Sequence, residues 1–526
     1  MNLLIKNGLI IDGTGKKPFK ADIAVERDRI IGIGSFNMTD ARNVVDASGL
    51  TVTPGLIDGH THAELNLMRN RQYPNAIYQG VSTIVTGQCG LGFAPIRPEQ
   101  FEDSIKVNGG IFSDYRKFLL PWESFGQFLS RMDGAAINAA ANVSHNAVRQ
   151  YALGFSDKPL KGNDLDIACG ALESAMQQGA VGLSVGLSYY PGGYSDTQEL
   201  INLCKVVKKY DGVFCVHLRI NDHQIPTTPV EEIAEVVRQT GVRLNMLHYR
   251  TGGMEDISVL YAPFRELEAQ GAEIHYEYYP YMVGAGLVLA FVPGWVQEGG
   301  YTQIMERLTD PSIRKKLLQE MDERHQYFFA EGQTATVTLT KDPYSKDLGR
   351  TFAEIQEETG ESFNEMVLRL LIENELEVGF AGVENQSIEL KDKLYDDQYK
   401  LFTDDRYTVG SDSIPAGILC HPRAFGTFPR VIKQMRVRNV PSEYVIKKLT
   451  SWPAKIYHLK DRGILAEGMK ADICIMDYQK VGDTATFSDP RQKPEGIKDL
   501  YVNGLPAMKN GTITGILGGH ALERDK

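Results

Sequence analysis

Eight short apolar runs, separated by helix-like stretches, occupy the chain between Pro54 and Leu459. Some of the intervening stretches are amphipathic, and PVEEIAEVVRQTG has a proline near its start and a glycine at its end, as helices do. Eight strands that alternate with helices favour a closed parallel (β/α)8 barrel of the TIM type. A doubly wound open sheet is the alternative, although no G-x-G-x-x-G follows the first strand to support its dinucleotide-binding form. The runs are TPGLIDGH, VSTIVTGQ, INAAANVSH, AVGLSVGL, GVFCVHL, RLNMLHY, EIHYEYYPY and YTVGSD.

Both ends of the chain carry short strand-like runs with turn signals. Asn7-Gly8 lies between two apolar runs and predicts a hairpin, as do Asn503-Gly504 and Asn510-Gly511 near the other end. Because chain ends often lie close together, we predict one small β-sandwich domain, and two separate β-modules are the alternative. The predicted bounds are 1–53 and 460–526 for this domain and 54–459 for the barrel, with helical insertions around the charged stretch 296–405.

Composition describes an ordinary globular protein. The chain has 526 residues, of which 42% are hydrophobic and 23% charged, which excludes a disordered chain. Its 56 basic and 67 acidic residues give a net charge of −11, which argues against a nucleic-acid partner but permits a local basic pocket for a small anion. The six cysteines form no C-x-x-C pair, so a reducing compartment is expected. We find neither a leader-like N-terminus nor a run of about 18 apolar residues, and we predict a cytoplasmic protein without a membrane partner.

Residues of the types that bind metals follow the apolar runs. His60 and His62 end the first strand as His-Thr-His, and alternate residues of a strand share one face. The carboxyl ends of barrel strands converge on one mouth, and the nitrogen, sulphur and oxygen donors found there suit zinc. Each residue alone has an ordinary interpretation, such as a core histidine, an inert thiol or a helix N-cap. Together, at the ends of five strands, they predict a metal site: His60, His62, Cys89, His217, His248 and Asp412.

Several longer motifs resemble one known family. PGLIDGHTH is typical of the metal-dependent amidohydrolase superfamily as a whole. GQCG after the second strand, together with HPRAFGTFPRV, is far more specific, and HLR, LHYR, YYPY and GSDSIP accompany them. The chain resembles the N-acyl-D-amino-acid deacylase (D-aminoacylase) family over nearly its whole length, including the split β-domain.

The resemblance implies a metal arrangement. In the family, residues that match Cys89, His217 and His248 hold zinc tightly, and those that match His60, His62 and Asp412, with the cysteine as a bridge, form a second and weaker position. Because the cysteine takes the bridging place that a carboxylated lysine has in related enzymes, no modified lysine is expected. One departure concerns Glu64, since the family commonly has Asp two residues after the H-x-H motif, and Glu64 offers a carboxylate with a longer reach.

The resemblance also implies zinc-dependent hydrolysis of an N-acyl-D-amino acid to a carboxylate and a D-amino acid. Asp412 is the predicted general base and then general acid, by proton transfer from water to the leaving amine. Arg250, Tyr281 and Arg423 are the candidates to bind the substrate carboxylate, and Arg250 stands where the family commonly has Lys. Hydrolysis of a cyclic amide, as in dihydroorotase-like or hydantoinase-like enzymes, or of a D-peptide is the alternative, and a non-catalytic metal protein is a third.

Three further residues keep two interpretations each. Arg219 in HLR could orient the metal ligands or bind substrate, and His145 favours a structural hydrogen bond over a role in the site. Trp295 could pack over a substrate or in the core. The sequence predicts neither the amino-acid side chain preferred nor the oligomeric state, and the preference for D-isomers rests on the resemblance alone.

Overall fold

A computed structural model describes residues 1–113, 122–219, 229–250, 256–325 and 334–524. In chain order the strands are β1 (Leu3–Ile10), β2 (Phe19–Glu26), β3 (Arg29–Gly34), β4 (Asn43–Asp46), β5 (Thr51–Pro54), β6 (Leu56–Asp58), β7 (Val81–Thr86), β8 (Asn138–Ala141), β9 (Val143–Ser144), β10 (Gly182–Gly186), β11 (Val213–His217), β12 (Arg243–Met246), β13 (Ile274–Tyr278), β14 (Ala285–Leu287), β15 (Ala335–Leu339), β16 (Gly379–Gly382), β17 (Tyr407–Val409), β18 (Ile473–Met476), β19 (Ile497–Val502), β20 (Leu505–Lys509) and β21 (Thr512–Ile513).

The α-helices are α1 (Glu64–Arg69), α2 (Pro74–Tyr78), α3 (Phe101–Val107), α4 (Gly109–Phe112), α5 (Phe125–Ser130), α6 (His145–Leu153), α7 (Gly162–Gln177), α8 (Thr197–Lys209), α9 (Pro229–Thr240), α10 (Arg265–Ala269), α11 (Gly294–Gln297), α12 (Tyr301–Thr309), α13 (Arg314–His325), α14 (Phe352–Thr359), α15 (Phe363–Glu373), α16 (Ile388–Thr403), α17 (Arg423–Val437), α18 (Ser442–Leu449) and α19 (Ser451–Ile456). In the parts of the chain that the structure covers, no helix combines the length and the apolar character that a membrane crossing requires.

The predicted barrel is confirmed, and its wall uses all eight predicted runs. One parallel sheet has the order β6-β7-β8 and a second the order β9-β10-β11-β12-β13-β17, and only Asn142 separates β8 from β9. A parallel bridge between Thr61 and Ser413 joins the first and last segments and closes the wall. Strands such as β7 are buried along their whole length because helices cover the outer face of a parallel sheet.

The helix α9 illustrates why the barrel helices form where the sequence predicts them. Pro229 begins it, and Gly241 follows it with a φ of 61°, a left-handed conformation that glycine adopts without strain. Its apolar residues recur at helical spacing and are buried: Ile233, Ala234, Val236 and Val237. The helix therefore packs one apolar stripe on the barrel and leaves Glu231 and Arg238 exposed, while Glu232 is buried.

Strands from both ends of the chain form one further sheet, as the predicted β-sandwich requires. Its order is β21-β20-β19-β18-β5-β1-β2-β3, with β4 paired to β1. The antiparallel ladder between β5 and β18 pairs Val52 with Ile475 and so joins the N-terminal and C-terminal strands directly. The ends are therefore not two separate modules.

The Asn-Gly signals have two different outcomes. Asn503-Gly504 and Asn510-Gly511 lie between consecutive antiparallel strands with positive φ at both residues, as type I′ hairpin turns require. The hairpin predicted at Asn7-Gly8 is wrong. Asn7, with a φ of 61°, lies inside β1, where the register with β2 shifts between Ile5 and Gly8. A left-handed residue serves equally well in a bulge, so the dipeptide does not by itself end a strand.

The charged stretch after β13 is only partly helical. Helices α11 to α16 alternate with β14, β15 and β16, which form a separate antiparallel sheet in the order β14-β16-β15. Strands of three to five residues leave little periodicity in the sequence, so the predicted helical insertion did not include them. Residues 326–333 of this stretch lie outside the described residues.

Candidate metal centre

The structure brings the six residues predicted as ligands to one end of the barrel. His60 and His62 follow β6, and Asp412 follows β17. The backbone bonds that close the barrel run between these segments, from Asp412 N to His60 O (2.9 Å) and from His62 N to Ser413 O (2.9 Å). Cys89 follows β7, His217 ends β11 and His248 follows β12. The topology of a parallel barrel therefore places these side chains around a single point.

Three of the six residues have a left-handed backbone, with φ values of 52° at Cys89, 37° at His248 and 50° at Asp412. Non-glycine residues in this region cost about 1–3 kcal/mol each and persist only where the surroundings enforce them. At Cys89 the contact with β10 enforces the left-handed conformation. The Cys89 carbonyl oxygen lies so close to Gly186 that a Cβ added there would be 1.8 Å from it. Strain of this kind at three ligand positions indicates that the strand ends are shaped to aim side chains rather than to continue a ladder.

The donor atoms form two groups that share Cys89. His60, His62, Cys89 and Asp412 make the first group, and Cys89, His217 and His248 the second, with all atoms of a group within 4.8 Å of one another. The Cys89 Sγ lies 3.3 Å from His60 Nε2 and 3.6 Å from His248 Nε2. Without a cation among them, donor atoms this close would repel one another, and nothing would offset the free energy lost when they were removed from water. Two cations bridged by one thiolate fit this donor set.

The protonation states of His217 and His248 suit metal ligands, whereas His60 favours its charged form. Burial by itself would lower the pKa of His60, but Glu277 and Cys89 outweigh it and hold that pKa well above its usual range. Burial lowers the pKa of His217 to about 4 and holds the pKa of His248 well below its usual range, so both imidazoles are neutral near pH 7. Burial raises the pKa of the Cys89 thiol to about 11, so a cation beside it is what would keep it as a thiolate. Metal ligation requires neutral imidazole and thiolate, and binding a metal therefore releases a proton from Cys89.

Glu277 contacts the candidate metal centre, and the sequence analysis missed it. It is fully buried in β13, and its Oε1 accepts a hydrogen bond from His60 Nδ1 at 2.7 Å. In metal sites a carboxylate behind a histidine fixes the tautomer, and here it would leave His60 Nε2, which lies near Cys89 and Asp412, free to bind a metal. The signal was present in the sequence, since a glutamate inside the apolar run EIHYEYYPY is costly to bury without a partner.

Asp412 is held between histidines and an arginine. Its Oδ1 lies 3.2 Å from both His60 Nε2 and His62 Nε2, and its Oδ2 lies 2.9 Å from Arg423 Nη1. Burial by itself would raise the pKa of Asp412, but Arg423 and His60 outweigh it and hold that pKa well below its usual range. Within the described part of the chain, the fully buried Arg423 guanidinium makes no well-directed hydrogen bond, so this contact is an ion pair that leaves donors for an anion.

The other two predicted substrate-binding residues lie differently. Arg250 packs over the Tyr279 ring at 4.5 Å, and its Nη atoms donate to the carbonyls of Tyr281 and Met282. Arg423 also lies over Tyr279, at 4.7 Å, so one ring supports both guanidinium groups. The side chain of Tyr281 is fully buried, and the Arg430 guanidinium lies 4.3 Å from the centre of its ring. Tyr281 does not line the cavity that opens beside the predicted ligands. A role for Tyr281 in substrate binding stays a prediction.

A cavity of about 210 Å³ opens at the ligands. Five of the ligand residues line it, and His60 lies behind them. The remaining lining side chains are mainly apolar and aromatic, and the sequence analysis singled out none of them: Ile111, Tyr189, Tyr279, Ala285 and Ile414. Apolar walls around a few convergent polar groups are typical of a small-molecule site. The Tyr189 ring packs on the ligand His217 with centroids 4.9 Å apart, so it lies over the metal position.

Arg219 supports the loop that carries Tyr189. Its guanidinium forms a bidentate pair with the buried carboxylate of Glu232, at 3.1 and 3.2 Å. The same group donates to the carbonyls of Gly193 (2.7 Å) and Ser195 (3.0 Å). Its four hydrogen bonds among the described residues go to Glu232 and to this loop, and none goes to a predicted metal ligand, so it orients the loop rather than the ligands, and a role in substrate binding has no contact to support it.

The remaining predicted residues lie around the site or away from it. His145 is fully buried and its Nε2 lies 2.8 Å from the carboxylate of Glu199, a structural pair as favoured. Glu64 is fully buried beside the ligands, and burial raises the pKa of its carboxyl group to about 8. Trp295 is half-buried and donates from Nε1 to Glu320 at 2.5 Å, and it does not line the cavity.

Comparisons with known proteins agree with this geometry. A model of the amidohydrolase family matches residues 43–179 and 398–507. A D-aminoacylase of Alcaligenes xylosoxydans xylosoxydans is 28% identical over 99% of this chain and 98% of its own, and an N-acyl-D-aspartate deacylase of the same organism is 27% identical over 96% and 91%. A crystal structure of the N-acyl-D-glutamate deacylase of Bordetella bronchiseptica, with zinc and a phosphonate mimic of the tetrahedral intermediate, matches with a TM-score of 0.80 and 25% identity over 100% of both chains.

Proposed function

Since the chain belongs to the D-aminoacylase family of metal-dependent amidohydrolases, we propose that it hydrolyses the amide bond of N-acyl-D-amino acids and releases a carboxylate and a free D-amino acid. One observation carries this proposal. The two groups of metal donors converge on one small cavity that is otherwise lined by apolar and aromatic side chains, and Asp412, which lines it, is paired with Arg423. The related proteins are named for N-acyl amino acids with different side chains, and their similarity to this chain extends over more than nine-tenths of both sequences.

The chain's donor set fits zinc. Cys89, His217 and His248 would hold the tight position, and His60, His62 and Asp412, with Cys89 as the bridge, a second and weaker one. Zinc supplies a Lewis acid for the amide carbonyl and makes water nucleophilic near neutral pH. Glu277 fixes the orientation of His60 through its Nδ1.

Asp412 performs the proton transfers in this proposal. Its carboxylate accepts a proton from water as the water oxygen bonds to the amide carbon. It then donates that proton to the amide nitrogen as the carbon–nitrogen bond breaks, which leaves a carboxylate product and a free amine. Because the Arg423 guanidinium favours the ionised carboxylate, Asp412 begins the cycle as the base.

Arg423 and Arg250 do not line the cavity themselves but contact side chains that do, Asp412 and Tyr279, and from there they favour an anionic substrate. Arg423 has unused donors beside Asp412, and Arg250 lies on the same aromatic ring of Tyr279. A guanidinium binds a carboxylate with two parallel hydrogen bonds, which fixes the orientation of the amino acid relative to the amide. The negative net charge of the whole chain does not oppose this, because both guanidinium groups act at short range in a low-dielectric site.

A panel of substrates tests the proposal. Zinc-loaded protein is assayed for release of free amine from N-acetyl and N-formyl derivatives of D- and L-amino acids, with hydantoin and dihydroorotate as cyclic amides. We expect turnover of linear D-substrates, and loss of that turnover in Asp412→Asn. Turnover of L-isomers alone, or of cyclic amides in preference to every linear substrate, would overturn it.

A further inference from the structure

Tyr457 lies in the floor of the barrel, beneath the donors of the metal centre. It follows α19, on the segment that leads from the barrel to the C-terminal strands, and its side chain is fully buried. Its ring packs against Gly59, where an added Cβ would lie 3.0 Å from Tyr457 Cε2. The absence of a side chain at Gly59 therefore makes room for the phenol to enter the barrel.

The hydroxyl of Tyr457 contacts four different barrel segments, two of them just after a strand and two of them within one. It donates to the Gly59 carbonyl at 2.9 Å and accepts from Asn245 Nδ2 at 3.1 Å and from Gln88 Nε2 at 3.2 Å. The Cys215 sulphur lies 3.8 Å away. Gln88 Nε2 also donates to the Gly59 carbonyl at 2.7 Å, so the phenol oxygen, Gln88 Nε2 and the Gly59 carbonyl oxygen are all hydrogen-bonded to one another.

These contacts belong to the strands that deliver the metal ligands. Gly59 immediately precedes His60, and Gln88 immediately precedes Cys89. Cys215 lies two residues before His217 on β11, and Asn245 lies on β12, three residues before His248. One oxygen atom therefore contacts each of the four barrel segments that carry five of the six donors, and only Asp412 lies on another segment.

We propose that Tyr457 is a positioning residue for the metal centre and that its hydroxyl fixes the spacing of the four barrel segments that carry five of the six metal donors. This inference rests on the metal centre of the proposed function. The spacing must be held against local strain, because Cys89 and His248 both have left-handed backbones that would relax if the strand ends moved. Groups that orient metal ligands typically change metal affinity by 10- to 100-fold when they are removed.

The test replaces Tyr457 with phenylalanine, which keeps the ring against Gly59 and removes only the hydroxyl. Zinc affinity is measured by competition with a chelator, and the cobalt-substituted protein gives an absorption spectrum that reports the ligand geometry. We expect Tyr457→Phe to bind zinc 10- to 100-fold more weakly than wild type and to shift the cobalt spectrum. Tyr501→Phe is the matched control, because Tyr501 is an equally buried tyrosine of β19 in the sheet formed by both chain ends, and it should leave both measurements unchanged.

A second variant keeps the inference testable if Tyr457→Phe does not fold. Asn245→Ala removes one donor to the hydroxyl and leaves the phenol in place, so it should weaken zinc binding in the same direction and by a smaller factor. Wild-type zinc affinity and an unchanged cobalt spectrum in Tyr457→Phe, or in Asn245→Ala if that is the variant that folds, would overturn the role of Tyr457 and leave the proposed function intact. A wild-type protein that binds zinc but hydrolyses no N-acyl amino acid would overturn the proposed function alone, and one that binds no zinc would overturn both.

Discussion

The guanidinium of Arg423 lies 2.9 Å from the carboxylate of Asp412, between Nη1 and Oδ2. This pair keeps Asp412 ionised in a site where burial would otherwise neutralise it. Asp412 is the one donor of the cluster that is free of the Tyr457 network, and its backbone is joined to His60 instead. It can therefore be altered without disturbing the group formed by Cys89, His217 and His248.

The first prediction follows for Asp412→Asn. We expect kcat to fall by about 10²- to 10⁴-fold, the usual contribution of a general base, with tightly bound zinc retained. Steady-state kinetics and metal analysis of the same preparation check both parts. Asp396→Asn, on the exposed face of α16, is the control and should keep wild-type kcat. Near-normal turnover in Asp412→Asn would contradict the role of this carboxylate.

Glu277→Gln tests the carboxylate behind His60. The amide can still accept the hydrogen bond from Nδ1, but it removes the negative charge that makes His60 a stronger ligand. We expect the weaker metal position to lose about 10- to 100-fold in affinity while the tight one is retained. Calorimetric titration of metal-free protein with zinc separates the two, and Glu266→Gln on the exposed side of α10 is the control. Two unchanged affinities would show that Glu277 serves packing only.

Arg219 and Glu232 offer a test of the loop that carries Tyr189. Arg219→Met alone leaves a buried carboxylate without its partner, so we expect the free energy of unfolding to fall by about 3–5 kcal/mol. Arg219→Met combined with Glu232→Leu removes both charges and should recover much of that loss. Chemical denaturation of the three proteins measures this. If the double variant regains stability but keeps a raised KM, the arginine orients the loop; if its KM is also normal, the pair serves stability alone.

The positions of the ligands could be predicted from the sequence because barrel topology is generic. Once eight strands alternate with helices, residues at or just after the end of a strand lie at the same mouth of the barrel. The strand pattern alone was therefore enough to predict that the side chains at these positions converge, namely His60, Cys89, His217 and Asp412. Tyr281 shows where this reasoning stops. β13 ends at Tyr278 and the chain then turns, so alternation no longer tells which tyrosine faces the cavity, and Tyr279 lines it instead.

Asn7 and Asn503 show the same limit at the level of local structure. Both precede glycine and both have a positive φ, yet one lies in a bulge within β1 and the other in the turn between β19 and β20. The choice depends on which strand lies alongside, since the Asp22 carboxylate on β2 accepts a hydrogen bond from the Asn7 backbone at 3.0 Å. Long-range partners of this kind, like Glu277 behind His60, cannot be read from residue spacing.

Lys448 predicts a pH dependence of stability. It is buried on α18, and burial lowers its pKa to about 7, against an unfolded value of 10.5. Below pH 7 both states bind the proton and the folded state bears the full cost of a buried charge; between pH 7 and 10.5 the unfolded state binds more protons, so stability rises with pH. We expect the wild type to gain roughly 1 kcal/mol per pH unit from pH 7 to 9 relative to Lys448→Met.

Denaturation at several pH values measures that difference, and the cysteines, which titrate near pH 8.5 in the unfolded chain, contribute alike to both proteins and cancel from it. Lys447→Met, on the same helix and less buried, should run parallel to the wild type. Parallel curves for the wild type and Lys448→Met as well would mean that Lys448 keeps its proton in the folded protein throughout this range.

Cys89 is the only donor common to both groups, and that makes its removal different from the removal of any other ligand. His62→Ala takes one donor from the first group and none from the second, so we expect one zinc ion per chain to remain bound. Cys89→Ala takes a donor from each group at once, so we expect zinc binding to weaken at both positions, with loss of turnover. Metal analysis after dialysis against a chelator compares the two variants with the wild type. Retention of one tightly bound zinc by Cys89→Ala would show that His217 and His248 hold the metal without the thiolate, and the bridging arrangement would then be wrong.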